Sequence, residues 1–189
     1  MILFVDACVR EESRTRSLAE CLLSTMDGEI ETLRLSEVPF PAVEEEYLLR
    51  RDEKIAAGSL DDDLFAMARQ FAAADTIVIA APYWDLSFPA TLKQYLEQIN
   101  VLQITFRYTP EGVPEGLCRA KELYYVTTAG GDFAPDEYGF GYVKALAENY
   151  YGIRNVKRIK ATGFDLVGAE PEKILEDAKK NILKTGWKE

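Results

Sequence analysis

The chain has 189 residues, a length typical of one domain with its own hydrophobic core. It carries 22 basic and 32 acidic side chains, and the net charge of −10 argues against binding a nucleic-acid backbone. The sequence contains no histidine, which excludes histidine-based catalytic triads and histidine-ligated metals. We therefore predict no metal site.

The cysteines and the N-terminus indicate a cellular compartment. Cys8, Cys21 and Cys118 are odd in number and have the spacing of neither a zinc site nor a disulfide framework. The apolar run at the N-terminus is too short for a secretion signal and has no basic residues before it. No apolar run approaches the length of a membrane span. We expect a cytoplasmic protein without a membrane partner.

The first predicted strand, Ile2 to Val5, leads into a polar loop and then a helix that begins before Leu18. Helix N-termini attract phosphate through their free N–H groups. The sequence has neither a Gly-x-Gly-x-x-Gly fingerprint nor a Walker A motif. The loop and first helical turn instead offer hydroxyl and guanidinium groups on Arg10, Ser13, Arg14, Thr15, Arg16 and Ser17. They could hold a phosphate monoester, or they could form a simple helix cap with solvated arginines.

The next segments are a strand and two helices. Glu29 to Leu35 alternates as an edge strand does. Residues 43–57 and 61–74 have helical composition, and Tyr47 and Leu48 are apolar members of the first of these helices.

Ile77 to Ala81 is an unbroken apolar run, which predicts a strand buried on both faces of a parallel sheet. Pro82 ends the strand, and a helix with an apolar stripe follows, for which Ser87 is the candidate cap. Between them lies the loop Tyr83-Trp84-Asp85-Leu86-Ser87. Ligands of open α/β sheets bind outside the carboxyl ends of the strands, so we expect this loop to contact a planar ligand.

The remaining chain completes the alternation. Residues 100–117 are irregular, which suggests a short hairpin or excursion with a functional role. The fourth strand, Lys121 to Thr128, ends in Ala129-Gly130-Gly131, a ligand-approach loop or an ordinary turn. A fourth helix should bury Val143, Leu146, Ala147 and Tyr150 and end at Gly152, before a fifth strand over 156–162 and a last helix over 171–186.

This order predicts an α/β domain that spans residues 1–189, with helices on both faces of a five-stranded parallel sheet of order 2-1-3-4-5. In that arrangement the loops after the first, third and fourth strands converge. One supplies hydroxyls and positive charge, one flat side chains, and one paired glycines. That combination suits a phosphorylated planar heterocycle such as flavin mononucleotide, FMN.

Two segments support a family resemblance. They are Ile79-Ala-Ala-Pro-Tyr-Trp-Asp-Leu-Ser87, followed by Leu92-Lys-Gln-Tyr-Leu96, and Thr105-Phe-Arg-Tyr-Thr-Pro-Glu-Gly112 with Pro114-Glu-Gly-Leu117. The chain resembles the flavodoxin-like FMN-dependent NAD(P)H azoreductase and quinone reductase family, whose fold is a three-layer sandwich.

The resemblance implies where the cofactor binds. It places the FMN phosphate on Ser13, Arg14 and Thr15, with Cys8 nearby. It places the ring system against Tyr83, Trp84, Asp85 and Leu86, and against Thr128, Ala129, Gly130 and Gly131. Cys8 and Asp85 stand where the family commonly has serine and asparagine, and Thr128-Ala129 replaces a Ser-Arg pair found in some members.

The resemblance also implies an activity. NADH or NADPH would reduce the flavin and leave, and a quinone or azo compound would then take two electrons at the same place, a ping-pong scheme. Tyr138 is a candidate proton donor, Phe106 and Tyr47 are candidates to line the substrate site, and family members are homodimers. One alternative is a non-enzymatic flavodoxin-like electron carrier or FMN-binding interaction protein, which an acidic surface would suit. A flavin-free hydrolase lacks a nucleophile–base pair.

Overall fold

The computed structural model describes residues 1–185 and contains a central sheet, a small hairpin and six helices. The central strands are β1 (Ile2–Asp6), β2 (Ile30–Arg34), β3 (Thr76–Ala80), β6 (Glu122–Thr128) and β7 (Asn155–Ala161). The hairpin strands are β4 (Phe106–Tyr108) and β5 (Pro114–Gly116). The helices are α1 (Arg14–Leu23), α2 (Glu45–Ala56), α3 (Ala66–Ala73), α4 (Ala90–Ile99), α5 (Phe140–Leu146) and α6 (Pro171–Thr185).

The central sheet is parallel and has the order β2-β1-β3-β6-β7. With the hairpin strands set aside, this is the predicted order 2-1-3-4-5, so the fold prediction is confirmed. Alternate residues of β3 face opposite sides: Ile77 and Ile79 pack with α3, α4 and α5, and Val78 packs with α1 and α6. The result is a three-layer sandwich. The strand is buried because both of its faces are covered.

Two predicted helix starts differ from the structure. The predicted helix over 61–74 begins with a tight turn, Asp63–Phe65, because Asp62 Oδ1 accepts a hydrogen bond from the N–H of Leu64 at 3.0 Å. Ser87 does not cap α4, which begins after Pro89. The Ser87 hydroxyl instead donates to the carbonyl of Tyr138 at 2.6 Å.

The end of α5 changes which tyrosine is buried. The helix continues as one wide turn, Ala147–Tyr151, and ends at Gly152 with φ 77°. A wide turn holds more residues than an α-helical turn, so the buried position moves from the predicted Tyr150 to Tyr151. The Tyr151 hydroxyl donates to Asn100 Oδ1 at 2.8 Å, which ties this turn to the end of α4.

The predicted excursion after α4 is confirmed as a hairpin that packs against the wide turn. Thr105 is fully buried, and its hydroxyl donates to the carbonyl of Ile99 at 2.7 Å. A Cβ at Gly116 would lie 2.1 Å from the backbone nitrogen of Gly152, so no larger residue fits there. This contact fixes β5 against the end of the wide turn.

Within residues 1–185, no helix has the length and apolar character needed to cross a membrane, and no group of cysteine and carboxylate side chains could hold a metal ion. The predicted end of the last helix at Gly186 lies outside the described residues.

Candidate functional site

The loops that follow β1, β3 and β6 border one cleft of about 710 Å³ at the carboxyl edge of the sheet. This size is typical of sites for small organic ligands. The cleft is lined from the first loop and α1 by Val9, Arg10, Glu11, Glu12, Ser13, Arg14, Thr15, Arg16, Ser17 and Glu20. It is lined from the other loops and α6 by Pro82, Tyr83, Trp84, Thr128, Gly130, Asp165, Glu172 and Leu175.

Ser13 is the N-cap of α1, and its Oγ accepts the N–H of Arg16 at 3.3 Å. The helix begins here because the cap satisfies one of the N–H groups that have no acceptor within the helix. Arg14 extends across the cleft: its Nη1 lies 3.2 Å from Asp165 Oδ1, and its guanidinium carbon lies 5.0 Å from the centre of the Phe164 ring. The remaining N–H groups of the first turn make this end of the cleft attractive to phosphate.

Thr15 contacts the third loop directly. Its Oγ1 lies 2.6 Å from Oγ1 of Thr128 in a buried hydrogen bond. Thr15, which we predict to bind the FMN phosphate, therefore touches Thr128, which we predict to contact the FMN ring.

Arg16 and Asp6 form a buried ion pair behind the first loop. Arg16 Nε donates to Asp6 Oδ2 at 2.5 Å, and Asp6 is 1% exposed. The neighbouring Cys8 thiol is also buried, and burial, reinforced by the charge of Asp6, raises its pKa to about 12. Cys8 is consequently a neutral packing group at physiological pH.

The loop after β3 ends in a tight turn. Trp84 and Ser87 exchange two backbone hydrogen bonds, of 3.1 and 2.8 Å, around Asp85 and Leu86. The two central residues have φ 50° and 68°, the left-handed values of a type I′ turn. That conformation is unfavourable for leucine, and such strain concentrates at functional sites. It leaves the side chains of Trp84 and Leu86 exposed.

Tyr83 lies at the base of this loop. Its backbone N–H donates to the carbonyl of Thr128 at 3.0 Å, which joins the second loop to the third. Its hydroxyl is buried and has no hydrogen-bond partner among residues 1–185. Burial, together with the charge of Glu137, raises the pKa of this phenol. Tyr83 therefore contributes a neutral, enclosed hydroxyl to the wall of the cleft.

The two glycines after β6 have different roles. A Cβ at Gly130 would lie 2.2 Å from Asp165 Oδ2, whereas the nearest atom to one at Gly131 is 4.0 Å away. The Gly130 carbonyl accepts the N–H of Asp165 at 2.8 Å, and the Gly131 carbonyl accepts the N–H of Gly163 at 3.1 Å. A side chain at Gly130 would displace the exposed Asp165 carboxylate, and Gly130 borders the cleft, whereas Gly131 is exposed and is not among the cleft-lining residues.

An aromatic segment, residues 132–139, lies beside the second loop. It exposes the side chains of Phe133 and Tyr138, and the Tyr138 carbonyl accepts the hydroxyl of Ser87. Asp136 in this segment forms ion pairs with Arg158 and Lys160 of β7. The candidate proton donor is therefore held next to the second loop by its backbone, while its ring faces solvent.

Phe106 and Tyr47 do not border the cleft within one chain. Phe106 is 7% exposed and packs edge-on against Tyr108 and Tyr150, with ring centres 5.7 and 4.7 Å apart. The Tyr47 hydroxyl donates to Gln98 Oε1 on a separate cavity between α2 and α4. Their assignment to a substrate site stays a prediction that requires a second chain.

The cleft meets the requirements of FMN. The α1 N-terminus and Arg14 suit a phosphate, and the Tyr83 and Trp84 side chains with the Gly130 backbone suit a flat ring. The lining contains three arginines and five carboxylates, so positive charge alone does not define it. The phosphate end must therefore depend on amides, hydroxyls and the geometry of the loop.

Comparison with known proteins agrees with this geometry. A sequence model described as "flavodoxin-like fold" matches residues 1–185. The chain belongs to the flavodoxin-like family.

Named relatives of this flavodoxin-like chain support a narrower assignment. It is 33% identical over 195 residues to FMN-dependent NADH:quinone oxidoreductase 2 of Clostridium perfringens strain 13, with 96% of each chain covered. A relative of the same name from strain SM101 is 39% identical over 127 residues, which are 66% of this chain and 63% of that protein. The predicted resemblance to FMN-dependent azoreductases and quinone reductases is confirmed.

Solved structures agree on the fold. The FMN-dependent NADH-azoreductase of Bacillus anthracis strain Ames Ancestor, in complex with FMN, superposes with a TM-score of 0.80. It is 22% identical, and the alignment covers 98% of this chain and 97% of that one.

Sequence reasoning did not identify two residues of the site. The sequence places Asp6 only in the loop that follows the first predicted strand, and Asp165 lies 151 positions from its partner Arg14. The one sequence signal for Asp6 is its position directly after a buried strand, because a carboxylate buried there needs a charged partner. Nothing local to the sequence indicated Asp165.

Proposed function

We propose that this chain is an FMN-dependent oxidoreductase that takes electrons from NADH or NADPH and passes two electrons to a quinone or an azo compound. The observation that supports this most is the cleft, which combines a phosphate-binding helix terminus with a flat, open ring site at one sheet edge. The names of its relatives point to the same chemistry. FMN, when bound, supplies the two-electron transfer.

The proposed cofactor contacts divide between two ends of the cleft. Ser13, Arg14 and Thr15 would hold the phosphate, with Cys8 behind them. The ring system would lie against Tyr83, Trp84, Asp85, Leu86, Thr128, Ala129, Gly130 and Gly131. Arg14 would exchange its exposed partner Asp165 for the phosphate, because a dianion competes with a solvated carboxylate for the guanidinium.

A ping-pong scheme follows from one shared stacking face. Trp84 borders the cleft and is partly exposed, and donor and acceptor would bind there in turn. Protons must come from water or a phenol, because the sequence has no histidine. Tyr138 is the proposed donor, since its segment is tied to the second loop through Ser87.

We propose a homodimer in which a second chain completes the site. Helix α2 buries none of its residues, and Leu48 and Leu49 are 42% and 58% exposed. Such an apolar face is typical of a subunit interface. Tyr47 lies on the same helix, so a partner chain there would place Tyr47 at a shared substrate site, to which Phe106 of the β4–β5 hairpin would also contribute.

We further propose that the chain acts as a single cytoplasmic domain on small molecules. All three cysteines are free, as suits a reducing compartment. The net charge of −10 disfavours nucleic-acid and anionic membrane partners.

The test is an anaerobic experiment on FMN-reconstituted protein. NADH or NADPH should bleach the flavin spectrum, and a quinone should restore it. Initial rates at several fixed quinone concentrations should give parallel double-reciprocal lines. Intersecting lines would contradict a shared stacking face, and a flavin that neither nucleotide reduces would favour the electron-carrier alternative.

The oligomer needs a separate test with a matched control. Leu48→Glu should shift the species measured by light scattering from dimer to monomer. Leu183→Glu, on the exposed face of α6, makes the same chemical change at a 60% exposed leucine and should leave the dimer intact. A wild-type monomer with full activity would contradict the shared site.

A further inference from the structure

Arg16 borders the cleft, but its guanidinium is hydrogen-bonded to the first loop. Its Nη1 donates to the carbonyls of Arg10 and Glu11 at 2.9 and 2.7 Å, and its Nη2 donates to the carbonyl of Cys8 at 2.9 Å. Its Nε donates to Asp6. An arginine has five N–H donors in a rigid fork, and here four contacts hold one short loop and the end of β1.

Asp6, at the end of β1, accepts hydrogen bonds from both the loop and Arg16. One of its oxygens accepts the N–H of Cys8 at 2.9 Å, and the other accepts Arg16 Nε. A buried carboxylate is costly unless it is paired and hydrogen-bonded, and Asp6 is paired with Arg16 and accepts one hydrogen bond at each oxygen. The two side chains therefore connect the end of β1, residues 8–11 and the first turn of α1.

We propose that Asp6 and Arg16 are positioning residues that shape residues 8–11 for the FMN phosphate, and that Arg16 is not itself a phosphate ligand. This inference rests on the proposed placement of the phosphate at Ser13 and Arg14. It assigns the two residues an effect confined to the phosphate end of the ligand. FMN affinity should depend on them, and the affinity for riboflavin, which has the same ring without the phosphate, should not.

The substitution Asp6→Asn separates positioning from direct charge contact by the sign of its effect. If Arg16 bound the phosphate, removal of the nearby negative charge would strengthen FMN binding. If the pair shapes the loop, the neutral amide fails to replace the carboxylate, because its single oxygen cannot accept both hydrogen bonds in the same geometry. FMN binding then weakens.

The experiment titrates apoprotein with FMN and with riboflavin by fluorescence quenching. Asp6→Asn should weaken FMN binding by about tenfold, the factor typical of one lost charge-assisted hydrogen bond, and leave riboflavin binding unchanged. Asp165→Asn is the matched control, because it removes the same charge beside Arg14 at a 71% exposed position. It should strengthen FMN binding, which gives the sign of a pure charge effect.

A second variant guards against loss of the fold. Asp6→Asn with Arg16→Gln leaves no buried charge unpaired, and it should lose at least as much FMN affinity as the single variant with riboflavin affinity still unchanged, because it also removes the guanidinium bonds to the carbonyls of the loop. Amide exchange of the apoprotein should increase at residues 8–11 and not in β3.

Two results would overturn the proposal: FMN binding by Asp6→Asn as tight as wild type or tighter, or equal losses for FMN and riboflavin. Failure of the phosphate placement itself would look different. In that case Ser13→Ala with Arg14→Gln would not change the ratio of FMN to riboflavin affinity.

Discussion

Thr15 Oγ1 and Thr128 Oγ1 lie 2.6 Å apart in a buried hydrogen bond that joins the first turn of α1 to the carboxyl end of β6. Thr15 is 1% exposed and Thr128 is 9% exposed, so water does not replace this bond. A hydroxyl has one hydrogen to donate. Thr15 can therefore donate to a phosphate only if Thr128 is the donor within the pair.

The first prediction concerns the stability that this pair provides. Thr15→Val and Thr128→Val should each lower the free energy of unfolding by about 1–3 kcal/mol, because each leaves a buried hydroxyl without a partner. The double variant removes both hydroxyls and should cost less than the sum. Urea unfolding of the four apoproteins measures the coupling, and strictly additive losses would contradict a shared bond. If Thr15→Val weakens the binding of FMN but not that of riboflavin, Thr15 also contacts the phosphate, as predicted.

The second prediction compares the two glycines after β6. Gly130→Ala should reduce the melting temperature slightly, because its Cβ would overlap the Asp165 carboxylate at 2.2 Å and turn this exposed side chain away from Arg14. Gly131→Ala meets no atom nearer than 4.0 Å and should keep wild-type stability. If the flavin ring approaches the backbone there, Gly131→Ala should nevertheless weaken FMN binding. Unchanged FMN affinity in Gly131→Ala would remove that residue from the site.

The third prediction is a pH dependence caused by Cys8. Burial raises the pKa of its thiol from 9.0 to about 12 in the folded protein. Between these values the unfolded chain loses the proton and the folded chain keeps it, so the stability present below pH 9 is lost as the pH rises toward 12. Cys8→Ser cannot ionise in this range. Its unfolding free energy should fall less steeply with pH, by up to about 1.4 kcal/mol per unit. Parallel stability curves from pH 9 to 11 would contradict the burial of this thiol.

The sheet and the position of the cleft could be predicted because their signals are local. The apolar run Ile77 to Ala81 and its alternation with helices are enough to indicate a parallel sheet, and the strand order then brings three loops together. The turn at Asp85 and Leu86 was expected as a loop, but its left-handed backbone was not, because neither residue is glycine.

The contacts that shape the cleft could not be predicted because they join distant parts of the chain. Arg14 pairs with Asp165 across 151 positions, and Thr15 meets Thr128 across 113. Periodicity also assumes ideal helices. A single wide turn at the end of α5 was enough to bury Tyr151 in place of Tyr150.

The last prediction concerns the charge of Asp85, which stands where the resembled family commonly has asparagine. Asp85 occupies the first central position of the type I′ turn with φ 50°, a conformation that asparagine adopts as readily. Asp85→Asn should therefore keep the turn and change only the charge, which makes it a clean electrostatic test.

Reduction adds negative charge to the flavin, and an ionised carboxylate can only accept hydrogen bonds. If Asp85 faces the ring, it disfavours the reduced cofactor and lowers the midpoint potential. Asp85→Asn should then raise that potential by some tens of millivolts, the size expected for one partly screened charge roughly 6 Å away. A dye-equilibrated reductive titration measures the difference. Asp27→Asn is the control, since this exposed residue precedes β2 at the opposite edge of the sheet and should leave the potential unchanged. Equal potentials for wild type and both variants would make Asp85 a turn residue without influence on the flavin.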